Sequence, residues 1–363
     1  MHRTGILLAL LSAVLFGAST PLAKLLLGAV DPWMMAGLLY LGAGVGLGLM
    51  EAGRKLAGQP ASEAPLQRAD LPWLALVILA GGVLGPLLLM LGLSRTDAAS
   101  ASLLLNLESL ATLAIAWVAF HENVDRRLLV GAGAILAGAL VLSWQGGGQW
   151  GWGAPLIAGA CLCWGIDNNL TRKLSAADPV QIALLKGVGA GSVNLGLALA
   201  SGAPLPPPAL LAAVLAVGFL GYGVSLVLFV LGLRHLGAAR TGAYFALAPF
   251  VGALLAVGLL GEPLTVRLLL AGGLMAIGLW LHLTEQHEHE HDHLPLAHAH
   301  RHRHDAHHQH AHGPDDAPGE PHSHWHVHTP LRHRHPHYPD LHHRHRHDGA
   351  PAEADEPPAH PHG

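Results

Sequence analysis

Charge and cysteine are both scarce in this sequence. Only 12% of its 363 residues are Asp, Glu, Lys or Arg, about half the share of an ordinary soluble domain, which argues against a water-soluble globular chain. The two cysteines, Cys161 and Cys163, cannot build a disulfide framework. They stand two apart on one apolar segment and point to different faces, so packing is the reading for them. The net charge is -4 with His neutral. No strongly basic footprint exists, and nucleic acid is excluded as a partner.

What is present is apolar. The hydrophobic share is 51% and the mean hydropathy is +0.39. Ten apolar segments can be marked, at 5–27, 32–50, 72–94, 97–119, 127–144, 154–174, 179–200, 209–233, 241–260 and 267–284. Most approach the ~20 residues needed to cross a bilayer as a helix. Most of the 45 glycines lie inside Leu/Ala runs, where membrane helices tolerate them. The expected fold is an all-α integral membrane protein. The first segment reads as a retained helix rather than a signal peptide, because Lys24 follows it without a small-residue cleavage site.

Loop charges predict the orientation. With the N-terminus inside, the inner loops and flanks carry Arg3, Arg54, Lys55, Arg68, Arg126, Arg127, Arg172, Lys173, Arg234 and Arg240. The outer set is Arg95 and Arg267, with Lys24 near an outer helix end. Both termini are therefore expected in the cytoplasm, across a bacterial-type inner (plasma) membrane.

The two halves repeat. Phe16-Gly17 matches Trp164-Gly165, and Asp31-Pro32 matches Asp178-Pro179. At a constant offset of 140, Gly92-Leu93 aligns with Gly232-Leu233, Ala98-Ala99 with Ala238-Ala239, Glu122 with Glu262, and Arg127-Leu128-Leu129 with Arg267-Leu268-Leu269. Five helices per half invert the second half relative to the first, the plan of many transporters, whose site lies at the repeat interface. The expected division is a first repeat at 1–145, a second at 146–285 and a tail at 286–363.

The segment Phe16-Gly17-Ala18-Ser19-Thr20-Pro21-Leu22-Ala23-Lys24, with Gly92-Leu93, Ala98-Ala99-Ser100-Ala101-Ser102, Glu122 and Glu262-Pro263, resembles the EamA type of the drug/metabolite transporter superfamily. The resemblance covers residues 5–284. It implies a non-enzymatic inner-membrane carrier that works by alternating access and commonly exports small organic solutes or amino acids. Such carriers are usually thought to couple to protons or exchange. Glu108-Ser109 stands where many relatives have a proline, while the repeat partner keeps Pro249. The tail and the substrate lie outside the resemblance.

Ionisable side chains inside hydrocarbon are costly and mark functional sites by default. Glu108 falls at the centre of the fourth segment, Asp167 lies in the sixth and Lys186 in the seventh. Glu108 or Asp167 would serve as a proton or cation site. Lys186 would either pair with Asp167 or bind a substrate carboxylate. Asn168 is a candidate ligand or an interhelical hydrogen-bond partner, and Lys24 either snorkels to the headgroups or gates the substrate path. Glu122 and Glu262, at loop turns, suit capping at least as well. The runs Gly42 to Gly48 and Gly187 to Gly191 sit in apolar segments without a preceding strand, so they read as close helix packing rather than a nucleotide loop.

The last 78 residues are a different material. Residues 1–285 hold 14 Lys/Arg against 12 Asp/Glu, a net +2, whereas 286–363 hold 6 against 12, a net -6, with 25 of the 29 histidines. Almost all follow H-x-H spacing, at His287, His289, His291 and His293, then His298, His300, His302 and His304, then His322, His324, His326 and His328, with further clusters beyond. Interleaved Pro, Gly and charge leave nothing to form a core, so a disordered tail is expected. Imidazoles at this density bind divalent Zn, Ni, Cu or Co, and no other ion or cofactor is called for. The expected partners are the lipid bilayer, a small-molecule substrate, divalent metal ions and, as an open alternative, a second copy in a homodimer. The leading reading is an organic-solute carrier with an accessory tail. The competing one is a transition-metal efflux carrier whose tail collects cytosolic ions.

Overall fold

The computed structural model describes residues 2–58, 66–120, 126–144, 151–171, 174, 178–236, 238–284, 287–293, 296–302, 322–328 and 331–337. The first unit, Met1–Glu285, is built of helices. They are α1 (His2–Leu27), α2 (Pro32–Leu56), α3 (68–93), α4 (98–120), α5 (Arg126–Ser143), α6 (Gly153–Thr171), α7 (Pro179–Ala200), α8 (208–236), α9 (238–260) and α10 (Val266–Leu283). Among the described residues nine of these helices are long and apolar enough to cross a membrane. The tenth, α6, carries Asp167, Asn168 and Asn169 in one run, which lowers its hydropathy.

The matched Asp-Pro pairs start matched helices. Asp31 Oδ1 accepts from the Trp33 and Met34 amides at 2.9 and 3.2 Å, and Asp178 Oδ1 accepts from Val180 at 2.8 Å. In each case the following proline occupies the first helical turn, where its missing N–H costs nothing. Deeper irregularities repeat too. α3 widens into a π-helical segment at Ile78–Leu84 and α8 into one at Phe219–Val224. α4 is interrupted by a turn at Leu105-Asn106, and α9 by one at Ala246-Leu247.

Packing follows the same pseudo-symmetry. α2 packs on its counterpart α7 and α5 on its counterpart α10, while α1 sits among α8 and α9 as α6 sits among α3 and α4. Each half thus lends its first helix to the other. Glycine makes the α2–α7 approach feasible: a Cβ built at Gly187 would lie 2.6 Å from the Gly44 nitrogen, and one at Gly191 would lie 2.6 Å from the Leu41 nitrogen. At the α5–α10 contact, a Cβ at Gly131 would meet the Gly278 carbonyl at 2.9 Å.

The second unit, Gln286–Gly363, contains four described strands, β1 (His287–His293), β2 (Leu296–His302), β3 (His322–His328) and β4 (Leu331–His337). β1 pairs with β4 and β2 with β3, both antiparallel. These four segments are the described part of the tail that the sequence leads one to expect disordered. H-x-H has the two-residue period of a strand, and the register sets histidine opposite histidine, as in His289↔His335 and His300↔His324. His304 and the histidines at 307–312 and 342–362 lie outside the described residues.

Candidate functional site

α4, α6 and α7 bring the intramembrane polar residues together. The turn at Leu105-Asn106 restarts α4 at Leu107, so Glu108 stands in the first turn of the second half-helix, where the N-terminal dipole favours an anion. Its carboxylate Oε1 accepts from Asn168 Nδ2 at 3.0 Å, and the same amide donates to Thr112 Oγ1 at 3.2 Å. Asn169 donates to the Gly165 and Thr112 carbonyls at 2.8 and 3.1 Å. These bonds join α4 to α6, where Gly165 lets the Ala111-Thr112 backbone approach within contact.

One helical turn away from Thr171 stands Asp167, 4% exposed. Its Oδ1 accepts from the Thr171 hydroxyl at 3.2 Å, and its Oδ2 is bonded to the Lys186 ammonium of α7. Asn106 turns away from this group, bonding the Leu103 carbonyl at 2.8 Å.

The π-helical segment of α3 closes the other side. A π turn loosens the local carbonyl ladder, and in hydrocarbon the freed oxygens need partners. Gly81 O accepts from the Tyr40 hydroxyl at 2.8 Å and from Trp164 Nε1 at 2.9 Å. Val83 O accepts from Asn194 Nδ2 at 3.2 Å. A Cβ at Gly81 would collide with the Asp167 carboxylate, so the ion pair rests directly on this segment. The matched segment of α8 carries Tyr222, whose ring meets Tyr40 at 5.5 Å and Phe16 at 5.7 Å between centroids. Phe245 extends the chain at 5.2 Å from Phe16. Sequence reasoning passed over Tyr40, Tyr222, Thr112 and Asn194. The available signal was polarity or a ring within otherwise Gly/Ala/Leu-rich segments.

Lys24 is far from this group in function. Its ammonium donates to the Leu93 and Thr96 carbonyls, both at 2.6 Å, and so caps the end of α3 rather than reaching for headgroups. Glu262 caps the next helix: its two oxygens accept from the Ala98 and Ala99 amides at 2.7 Å each. Glu122 and Arg172 lie outside the described residues. His235 belongs to the last turn of α8. Among the described residues no three His, Cys, Asp or Glu side chains are grouped to hold a metal ion.

The Glu262 cap gives a direct test. Glu262→Ala leaves two amides at a helix start without their acceptor and should cost about 1–2 kcal/mol, while Glu262→Gln keeps one bond and should cost less. Thermal unfolding in detergent reads the order. Equal midpoints for all three proteins would show that the cap contributes nothing.

A pseudo-symmetric ten-helix bundle with ionised groups at its inter-helix seam defines a polytopic membrane carrier. The chain belongs to the EamA-like transporter family, whose model matches residues 3–144 and again 151–284. It is 28% identical over 285 residues to an uncharacterized transporter of Methanothermobacter thermautotrophicus, spanning 74% of this chain and 83% of that one. A solved crystal structure superposes with a TM-score of 0.57 at 19% identity, covering 77% of this chain and 98% of the other, and shares the fold.

Proposed function

We propose that this transporter is a secondary carrier of the inner membrane, with both termini cytoplasmic, that exports a small organic solute such as an amino acid or metabolite by alternating access. It performs no covalent chemistry. The observation that carries this reading is Glu108, a carboxylate at membrane depth on a half-helix start, bonded to the neutral Asn168. An acid so placed can exchange a proton for a solute. Asp167, bonded to Lys186, stands one residue before Asn168 on the same helix.

Glu108→Gln keeps the shape and an oxygen for Asn168 but cannot carry a proton. In proteoliposomes, wild-type solute flux should follow an imposed pH gradient between pH 5 and 8, and the Gln variant should lose that dependence and at least about tenfold in flux. Flux that still follows the gradient in the variant would remove Glu108 from the coupling role.

The tail is read as an accessory metal-binding segment, supported by a register that sets histidines of distant segments opposite one another. That observation also favours the second reading, a Zn, Ni, Co or Cu efflux carrier whose tail collects ions. Removing 286–363 separates the two. Organic-solute flux should persist within about twofold while equilibrium Zn binding is lost. Loss of metal tolerance in cells, with no organic solute moved by the full chain, would instead establish the second reading.

A further inference from the structure

We propose that the solute site recognises an organic ammonium group, with Glu108 as its counter-ion and the ring faces of Phe16, Tyr222 and Phe245 as the wall around its cationic end; this rests on the carrier reading above. Three ionisable side chains lie in the group, and two of them, Asp167 and Lys186, are bonded to each other. Bonded to each other, these two opposite charges present a neutral pair to the groups around them. Among the described residues Glu108 has no cation bonded to it and is held on a single oxygen by an amide.

The aromatic rings near this group are electron-rich on their faces. Phe16, Tyr222 and Phe245 are only partly buried, and aromatic faces attract cations. Asn168, which holds Glu108, adjoins Asp167 on α6; the Asp167 carboxylate rests on Gly81, the Gly81 carbonyl holds Tyr40, and the Tyr40 ring meets Tyr222 at 5.5 Å, a run of contacts that links Glu108 to this aromatic chain. Asn169, 3% exposed, has an Oδ1 with no hydrogen-bond partner, and a buried acceptor of this kind calls for a donor. An ammonium supplies up to three N–H donors and one positive charge. A ligand carboxylate finds Lys186 already occupied by Asp167, so a zwitterion gains no compensating contact for its acid end.

Three solutes on one aryl frame isolate the charge: 2-phenylethylamine, phenylalanine and 3-phenylpropionate, with methylamine and butylamine added to vary size. Binding to the purified full-length chain in nanodiscs is measured by calorimetry at pH 7.5. At least one of the amines should bind, 2-phenylethylamine should bind at least about tenfold more tightly than phenylalanine, and 3-phenylpropionate should not bind. Glu108→Gln should weaken amine binding about a hundredfold and Phe16→Leu about tenfold. Circular dichroism and size-exclusion profiles check that both variants are folded. Failure of every amine, equal binding of phenylalanine, or amine affinity unchanged in Glu108→Gln overturns the inference. Phenylalanine binding that is lost in the Asp167→Asn, Lys186→Met double variant, itself checked for fold in the same way, would replace it with a carboxylate site while the carrier reading stands. Amine binding without vesicle transport would do the reverse.

Discussion

Asp167→Asn and Lys186→Met should each destabilise the carrier severely, and the double variant should recover much of the loss. Either single change leaves one ion at membrane depth without its partner, at a cost of about 3–5 kcal/mol for a buried pair. At roughly 2–4 °C per kcal/mol in a chain of this size, the midpoint should fall by about 10 °C. Removing both charges leaves a neutral amide against a thioether and no stranded ion, so the double variant should lie within about 1–2 kcal/mol of wild type. The readout is the thermal midpoint of all four proteins in nanodiscs. Additive losses would show that Asp167 and Lys186 do not act as a pair. The effect should also reach α3, because the Asp167 carboxylate rests on Gly81 and the Gly81 carbonyl holds Tyr40 and Trp164. Tryptophan fluorescence in the Trp164 region should therefore shift in Asp167→Asn and return in the double variant.

How such a group reads in a sequence depends on distance along the chain. Asp167 and Lys186 stand on helices joined by a short connection, so their meeting can be read from spacing alone. The Asn168–Glu108 bond spans 60 residues, and one sequence offers no signal for it beyond two polar residues at membrane depth. The helices and their inversion were legible because hydropathy and the repeated Asp-Pro, Gly-Leu and Ala-Ala pairs are local. The π segments were not, since a widened turn is set by what packs on it: Tyr40, Trp164 and Asn194 reach α3 from α2, α6 and α7. Lys24 shows the same limit. Its position near a helix end suggested headgroups or a gate, yet the nearest demand comes from two carbonyls at the end of α3. The strands in the tail were illegible for a different reason. Composition argues for disorder, but the alternation within H-x-H is itself a strand period, and pairing partners 50 residues apart, such as His287 and His337, cannot be read from composition.

Gly187→Leu should abolish the folded carrier, and Gly187→Ala should already cost about 3 kcal/mol. A Cβ at this position would stand 2.6 Å from the Gly44 nitrogen and 2.9 Å from the Tyr40 carbonyl oxygen. Both are backbone atoms with no rotamer to yield, so α2 and α7 must separate. Membrane helices gain little from burying apolar surface against each other, because lipid is equally apolar; their attraction depends on close backbone approach through small residues. Separation therefore removes the main source of α2–α7 affinity rather than trading one contact for another. It also displaces the site, since α2 supplies Tyr40 and α7 supplies Lys186 and Asn194. Gly196 provides the control on the same helix. No atom lies within 4 Å of a Cβ built there, so Gly196→Ala should be neutral or stabilise by up to about 1 kcal/mol through its better helix propensity. Expression, size-exclusion profile and thermal midpoint of the three variants decide the matter. A Gly187→Leu protein that elutes and melts like wild type would mean that α2 and α7 are not held by this seam, and that the pseudo-symmetric axis of the bundle lies elsewhere.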